Sequence, residues 1–336
     1  MDAEERPKLT VAVTGPTGEI GMPFVRALEA TPEVGRVLAM ARRPFDPGEL
    51  GWSKTEYRQG DILDRDAVAE LVADADVVVH LAFIVVKATA GSYDINIEGS
   101  RNVFEAAVAA RAPRLVYTSS VAAYGYDRDR PGPLTEDSST EGTESHAYSH
   151  QKAEVERVLD EAIADSEIDA YVFRPCVVAG PEAPALLDQL PYIRLEEKVP
   201  GAVRGAIGRV PGLKPVLPDH GIPFQLVHHD DVAAALVAAT LGRGAPGVYN
   251  LAADGEITIS QLASELGWRA VPLPDVALGV TSAILSRVPA FEAEAGWVEA
   301  LRTPMAMDSG RAKRELGWTP RYDAHETLRD LISSRR

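Results

Sequence analysis

The chain carries a single cysteine, Cys176, among its 336 residues. An internal disulfide is excluded, and so is any metal site made of several thiolates. Cys176 stands in an apolar run, where a small buried thiol is the expected role rather than a nucleophile. Basic residues are also in short supply. Lys+Arg number 34 against 50 Asp+Glu, a net charge of -16, so general attraction to nucleic acid or to an anionic membrane is not expected. Any phosphate group must then be held by local basic side chains and backbone amides. No uncharged run is long enough to cross a bilayer, and Met1-Asp2-Ala3-Glu4-Glu5-Arg6 lacks the apolar core of a signal peptide, which makes cytoplasm the expected location. There is no internal repeat and no low-complexity tract. The length suits one large domain or two closely joined ones.

What is present is organised around Thr14-Gly15-Pro16-Thr17-Gly18-Glu19-Ile20-Gly21. This stretch follows an apolar, β-branched run, Leu9 to Val13, that reads as a buried strand, and it opens a helical pattern of Ile20, Phe24, Val25 and Leu28. At such a junction Gly15 permits the tight turn, Gly18 lets the backbone approach a pyrophosphate, and Gly21 lets helix and strand pack closely. First-turn amides, those of Thr17, Glu19 and Ile20 among them, then face the phosphates at the positive end of the helix dipole. The triplet alone could be a turn that merely needs glycines. The strand before it and the helix after it favour dinucleotide binding.

Strands and helices then alternate. Val34 to Met40 reads as a second strand, ending in Ala41-Arg42-Arg43-Pro44. In a dinucleotide fold this tip lies beside the adenosine ribose, where an acid would accept from a 2′-hydroxyl and an arginine would accommodate a 2′-phosphate. Arg42 and Arg43 therefore favour NADP over NAD, although a solvated charge pair at a strand end is the plainer reading. Asp61 could accept from the adenine amino group while Ile62 packs on the ring, and Asp64 could be a helix cap. Asp76 to Phe83 reads as a buried parallel strand whose end, Leu81-Ala82-Phe83, lines the cofactor cleft. A helix follows from Asn96 to Ala110, then a strand from Arg114 that delivers Thr118, Ser119 and Ser120 to the carboxyl edge of the sheet, where ligands bind in open α/β folds. Asn96, Thr118, Pro175 and Val178 are further candidate cofactor contacts.

Asp127 to Ser145, rich in Pro, Gly, Ser, Thr and acids, reads as a surface loop or lid. The helix from Tyr148 to Ala164 follows, and Ala170 to Val178 is one more strand. The Rossmann-type domain is expected over residues 1–180 with 224–252 returning to it, and a smaller, discontinuous substrate-binding region over 181–223 and 253–336. Arg194, Lys198, Arg204, Arg209 and Lys214 are scattered through the start of that region. Tyr124 could line the substrate cleft or simply pack. His228-His229-Asp230-Asp231 suggests a metal site at first sight, but adjacent histidines on a strand point to opposite faces, so hydrogen-bonding roles are expected and no metal.

Tyr148 and Lys152, four apart, share one helix face. A free tyrosine titrates near 10, and bringing it to about 7 takes about 4 kcal/mol of preference for the phenolate. An ammonium about 4 Å away at an effective dielectric of about 20 supplies that much. Tyr148 could then exchange a proton with a substrate oxygen while hydride moves to or from a nicotinamide, with Ser120 bonded to the same oxygen and Lys152 also holding the ribose.

Thr14-Gly15-x-x-Gly18-x-x-Gly21, Asp61-Ile62, His80-Leu81-Ala82, Ser119-Ser120-x-x-x-Tyr124-Gly125, Tyr148-x-x-x-Lys152, Arg174-Pro175 through Gly180-Pro181 and Leu316-Gly317-Trp318-x-Pro320 together resemble the extended short-chain dehydrogenase/reductases, the epimerase/dehydratase branch. The similarity runs from about Lys8 to Pro320. It implies a doubly wound parallel sheet of the Rossmann type, Ser120, Tyr148 and Lys152 as catalytic residues, and a homodimer through the helices that begin near Asn96 and Tyr148. Two departures bear on the substrate. Val121-Ala122 stands where the dehydratases of the branch place Asp-Glu, and Val177 stands where its nucleotide-sugar epimerases place an asparagine for the diphosphate, a donor that Arg204 or Arg209 could replace. Apolar residues after Arg174-Pro175 look more like the branch members that reduce ketones or aldehydes. The expected activity is an NADP-preferring oxidoreductase, with NAD possible, acting on a small and largely apolar substrate. A nucleotide-sugar 4-epimerase with tightly held NAD and a non-catalytic NADP-binding redox sensor are the alternatives.

Overall fold

A computed structural model of the chain describes residues 7–85, 92–130, 132–190, 193, 215–272 and 303–335. Arg194, Lys198, Arg204, Arg209 and Lys214 lie outside the described residues.

The centre is an all-parallel sheet of seven strands: β1 (Leu9–Thr14), β2 (Val34–Ala41), β3 (Thr55–Gln59), β4 (Val77–His80), β5 (Arg114–Thr118), β6 (Asp169–Pro175) and β10 (Gly247–Leu251). Their order is β10-β6-β5-β4-β1-β2-β3. The chain winds outward from β1 to β3, crosses back to β4 and winds the other way, so the carboxyl ends of β1 and β4 flank the switch point where such sheets open a crevice. Alternate residues of β1 reach opposite faces. Val11 and Val13 join Phe24, Val25 and Leu28 of α1 (Gly21–Ala30) and Val232, Ala235 and Leu236 of α6 (His229–Thr240) in one core. Ala12 faces the other, with Leu71 of α2 (Arg65–Val72), Phe104 of α3 (Ser92–Ala109) and Val155 and Leu159 of α4 (Ala147–Ile163). Both faces are covered, which is why the strands read as continuous apolar runs. Asp64 caps α2, its side chain accepting from the amides of Asp66 and Ala67. Among the described residues no helix is long and apolar enough to cross a membrane.

Several elements differ from the sequence expectation. The strand expected over Asp76 to Phe83 stops at His80, leaving Leu81 to Phe83 as irregular chain at the mouth of the switch point. The single strand expected over Ala170 to Val178 is two: β6 ends at Pro175, which has no amide to donate, and β7 (Val177–Ala179) leaves the central sheet to pair with β9 (Leu226–His228). Of residues 224–252, then, β10 joins the central sheet while β9 does not. A third core, of Leu187, Leu226, Ile257, Leu262, Leu328 and Leu331 among others, gathers under β7 and β9. It uses α5 (Ala185–Asp188), α7 (Ile259–Glu265) and α8 (Ala324–Ser333), beside a small sheet of β8 (Val216–Asp219) and β11 (Arg269–Pro272). Trp318 Nε1 donates to the carbonyl of Asp231 (2.8 Å), and the Asp231 carboxylate accepts from the amides of Arg321 and Tyr322, so the closing segment is stitched onto α6. The expected lid over Asp127 to Ser145 is likewise stitched down: Leu134 exchanges backbone hydrogen bonds with Ala306 and Asp308, and Glu136 accepts from the amide of Asn250.

One buried ion pair ties helix to strand beneath the carboxyl edge. Arg174 on β6 donates to both carboxylate oxygens of Glu156 on α4 (3.0 and 2.5 Å), and Ser119 Oγ donates to the same carboxylate (2.5 Å). The side chains are only 5% and 8% exposed. Glu156→Ala is expected to cost about 3–5 kcal/mol in urea denaturation, because it leaves a guanidinium buried without its counter-charge, whereas an apolar pair at both positions is expected to cost far less.

Candidate active site

The glycine loop is fixed by backbone contact. Gly15 has φ +74, and a Cβ there would lie 2.6 Å from the amide nitrogen of Ala82; a Cβ on Gly21 would lie 2.1 Å from the carbonyl of Gly15. Both glycines are demanded by packing. Gly18 is different: a Cβ there would meet only the Gly15 carbonyl at 3.5 Å, so nothing inside the fold requires glycine at that position. Its bare backbone faces a groove lined by Gly15, Thr17, Gly18, Arg42, Arg43, Asp61, Ile62, Leu81, Ala82 and Phe83, ten of the residues expected to hold a cofactor. Arg42 and Arg43 are exposed at one end and carry no ion pair among the described residues. Asp61 Oδ1 accepts from the amide of Leu63, and Ile62 is buried against Gly99.

The remaining expected contacts lie elsewhere. The side chain of Glu19 turns away, its carboxylate accepting from the amide of Ala185 at the start of α5 (3.0 Å), and the side chain of Ile20 packs on the first core. Asn96 is a brace: Oδ1 accepts from the amide of Ile84 (2.8 Å), and Nδ2 donates to the carbonyl of Ile84 (3.1 Å) and to Gln151 Oε1 (2.7 Å). It thereby ties the loop after β4 to α4. Thr118 Oγ1 is buried without a hydrogen-bond partner at the end of β5, Pro175 ends β6, and Val177 and Val178 are half-buried on β7. Tyr124 is wholly buried, its hydroxyl donating to Asn250 Oδ1 (2.7 Å) and its ring under the Arg174 guanidinium (4.6 Å), so it packs rather than lining a cleft.

Beside the groove, Ser120 and Tyr148 lie together, near enough for the Ser120 hydroxyl to favour the ionised form of the phenol. Ser120 follows the end of β5 and caps a short 3-10 turn, Val121–Tyr124, its Oγ accepting from the amide of Ala122 (3.1 Å). Tyr148 opens α4, which His146 caps through Nδ1 and the amide of Ser149. The Phe83 ring meets Tyr148 edge to face at 5.6 Å, joining the pair to the groove. Lys152, one turn along α4, is buried; its Nζ donates to the carbonyl of Thr118 (2.8 Å) and to Tyr117 Oη (3.2 Å).

The electrostatics run against the simple expectation of a phenol made acidic. Burial holds Tyr148 above the ordinary tyrosine value and outweighs the nearby Ser120 hydroxyl, which pulls the other way. The same burial brings Lys152 down to about 7, with the carboxylate of Glu156 opposing it. An ammonium half titrated at neutral pH is a weaker source of field than the full charge the sequence argument assumed. His80, bonded through Nδ1 to Thr14 Oγ1 and through Nε2 to Ser100 Oγ, is pushed down to about 3 by burial and by the charge of Lys152, and so stays neutral. Cys176 is buried and its thiol is raised by desolvation. Sequence reasoning missed the parts played by Tyr117, Gln151 and Glu156. For Glu156 a signal existed, since it lies four residues beyond Lys152 on the same face.

His228 and His229 do not point to opposite faces. The chain passes from β9 to α6 between them and their rings lie 4.2 Å apart, with ligand atoms of His228, His229 and Asp230 all within 4.8 Å of one another. Hydrogen bonds engage three of the four ring nitrogens: His228 accepts from the amide of Asp230 and bonds Asp330, and His229 Nε2 accepts from the amide of Glu182, while the buried His229 Nδ1 lies 3.2 Å from Asp230 Oδ1. Arg26 and Arg321 pair with the Asp230 carboxylate.

A seven-stranded doubly wound sheet with a glycine loop at its switch point and a Ser/Tyr/Lys set beside it defines a Rossmann-type dinucleotide-binding architecture. The model of the NAD dependent epimerase/dehydratase family matches residues 11–252, and the chain belongs to that family. It is 28% identical over 333 residues to an uncharacterised protein of Sinorhizobium fredii (95% of this chain, 76% of that protein) and 30% identical over 167 residues to the L-arabinose 1-dehydrogenase (NAD(P)(+)) of Haloferax volcanii (48% and 62%). The chain spans only 30% of the length of an uncharacterised Mycobacterium tuberculosis relative, 27% identical over 326 residues. In structure it is similar to dTDP-glucose 4,6-dehydratase from Bacillus anthracis, solved in complex with NAD, with TM-score 0.70 and 19% identity, covering 97% of this chain and 96% of that one.

The two kinds of glycine separate in a stability measurement. Gly21→Ala is expected to cost about 1–3 kcal/mol in urea denaturation, since backbone must move to admit the methyl group, while Gly18→Ala stays within about 0.5 kcal/mol.

Proposed function

We propose that the chain is an NAD(P)-dependent oxidoreductase that interconverts a carbonyl and a secondary alcohol on a small, mainly apolar substrate. One observation carries this reading: Ser120 and Tyr148 come together at the carboxyl end of β5, beside a groove that ends at the glycine loop. Gly15, Thr17 and Gly18 would hold the phosphates of the dinucleotide, Asp61 and Ile62 the adenine, and Lys152 the ribose next to the nicotinamide. The bare backbone at Gly18, which no packing explains, and the unpartnered Thr118 Oγ1 support that fit. When bound, the nicotinamide supplies the hydride donor or acceptor. Tyr148 gives a proton to the substrate oxygen or takes one from it, and Ser120 hydrogen-bonds the same oxygen. Lys152, when protonated, favours the phenolate of Tyr148. The relative that is a dehydrogenase supports the oxidoreductase reading over elimination of water, as does Val121-Ala122 after Ser120, which offers no acid/base pair.

NADP is the cofactor we favour, because Arg42 and Arg43 follow β2 exposed and, among the described residues, without an ion pair, while no carboxylate beside them would accept from a 2′-hydroxyl. We place the enzyme in the cytoplasm as a homodimer through α3 and α4, with residues 181–223 and 253–336 covering the substrate.

Tyr148→Phe is expected to lower kcat about 10²–10⁴-fold on a carbonyl substrate found by screening with NADPH, with cofactor affinity within a few-fold. Unchanged turnover refutes the assignment, and cofactor retained through purification with net-neutral turnover of a nucleotide-sugar replaces it by the epimerase reading. The Arg42→Ser/Arg43→Ser double variant is expected to shift the preference for NADPH over NADH by about tenfold or more toward NADH, measured as the ratio of kcat/KM.

A further inference from the structure

Resting on the reading of Lys152 as part of the reaction site, we propose that Phe83 is a positioning residue: the face of its ring is the seat that holds the Lys152 ammonium charged and beside Tyr148. Lys152 Nζ lies 3.8 Å from the centroid of the Phe83 ring and 5.0 Å from that of Tyr117. Lys152 is 3% exposed, so water does not compete for the cation, and attraction to the negative face of a ring is largest under such desolvation.

The groups facing this ammonium come from every element packed around it. β5 presents Tyr117 Oη and the carbonyl of Thr118, both accepting from Nζ. β4 presents His80, neutral between Thr14 and Ser100. α4 presents Tyr148, a phenol held neutral by burial, and Glu156. Glu156 is the carboxylate among them, and both its oxygens are engaged by Arg174, one of them by Ser119 as well. With that counter-charge shared, two neutral oxygens and the ring faces carry the cation. The seat is braced. Asn96 bonds both the amide and the carbonyl of Ile84, next to Phe83, and reaches Gln151, next to Lys152. Loop and lysine are therefore held to one another through α3, and the same Phe83 ring meets the Tyr148 ring edge to face at 85° and lines the groove. Phe83 thus sets two things at once: where the ammonium sits and the pH range in which it is charged.

The chain has seven lysines, few enough for carbon-13 lysine NMR to resolve, with Lys152→Met identifying the Lys152 signal. Titrated on the whole chain without substrate, Phe83→Leu is expected to move the Lys152 midpoint to lower pH by about one unit, a tenfold change in the cation's stability, and Phe83→Tyr, which keeps a ring face, is expected to restore it. A Phe83→Leu midpoint that is unchanged, or raised by water entering beside the smaller side chain, overturns the proposal. In the wild-type chain the Lys152 side-chain methylene protons are expected upfield of those of the other lysines, as protons above a ring face must be; an ordinary shift overturns it without any variant. These readouts need no turnover. Should Tyr148→Phe keep full activity, the reaction reading falls while the titration still decides the role of Phe83.

Discussion

The approach of the Gly15 turn to the backbone of Leu81 and Ala82 is the constraint on which the rest of the site depends. Two parallel strands, β1 and β4, end side by side at the switch point, and the Leu81 amide bonds the Thr14 carbonyl across them. With no side chain at Gly15 the two exits can touch, and a Cβ at 2.6 Å from the Ala82 nitrogen would force them apart. Because they touch, the loop after β4 is carried over the end of the sheet, Phe83 reaches Lys152 and Tyr148, and the groove has a floor. Backbone sterics at one glycine thus fix the distance between the cofactor groove and the hydroxyl pair.

A second constraint is burial of charge. The site gathers a half-buried phenol and a buried ammonium, imidazole and carboxylate within a few side chains of one another. Desolvation pushes three of them toward the neutral form, upward for Tyr148 and downward for Lys152 and His80. What resists at Lys152 is local: ring faces, the Thr118 carbonyl and the Tyr117 hydroxyl. The balance leaves Lys152 poised near neutral pH, where a modest change in its surroundings changes its charge.

The outer region follows from an interruption. Pro175 cannot donate to a ladder, so the run from Ala170 to Val178 breaks, and β7 is freed to pair with β9. Around that small sheet a third core forms from segments as distant as Leu187 and Leu331. Glu19 links it to the glycine loop through the Ala185 amide, and Arg26 on α1 links it through Glu182.

Period and punctuation in the sequence determined the alternation of strand and helix, because a strand buried on both faces must be apolar throughout and a helix must show its 3.6-residue stripe. They likewise determined the glycine loop, whose residue types are dictated by local backbone geometry, and the sharing of one helix face by Tyr148 and Lys152. Only the tertiary structure decided what each side chain meets. Tyr124 and Asn96 lie at positions that the linear pattern makes look like ligand contacts, yet one is packed beneath Arg174 and the other braces a loop. His228 and His229 converge because strand becomes helix between them, a boundary that alternation along a strand could not reveal. The titration of Tyr148 and Lys152 was illegible for the same reason: spacing along a helix sets which groups are neighbours, but the charge they carry depends on how much water the whole fold removes from them.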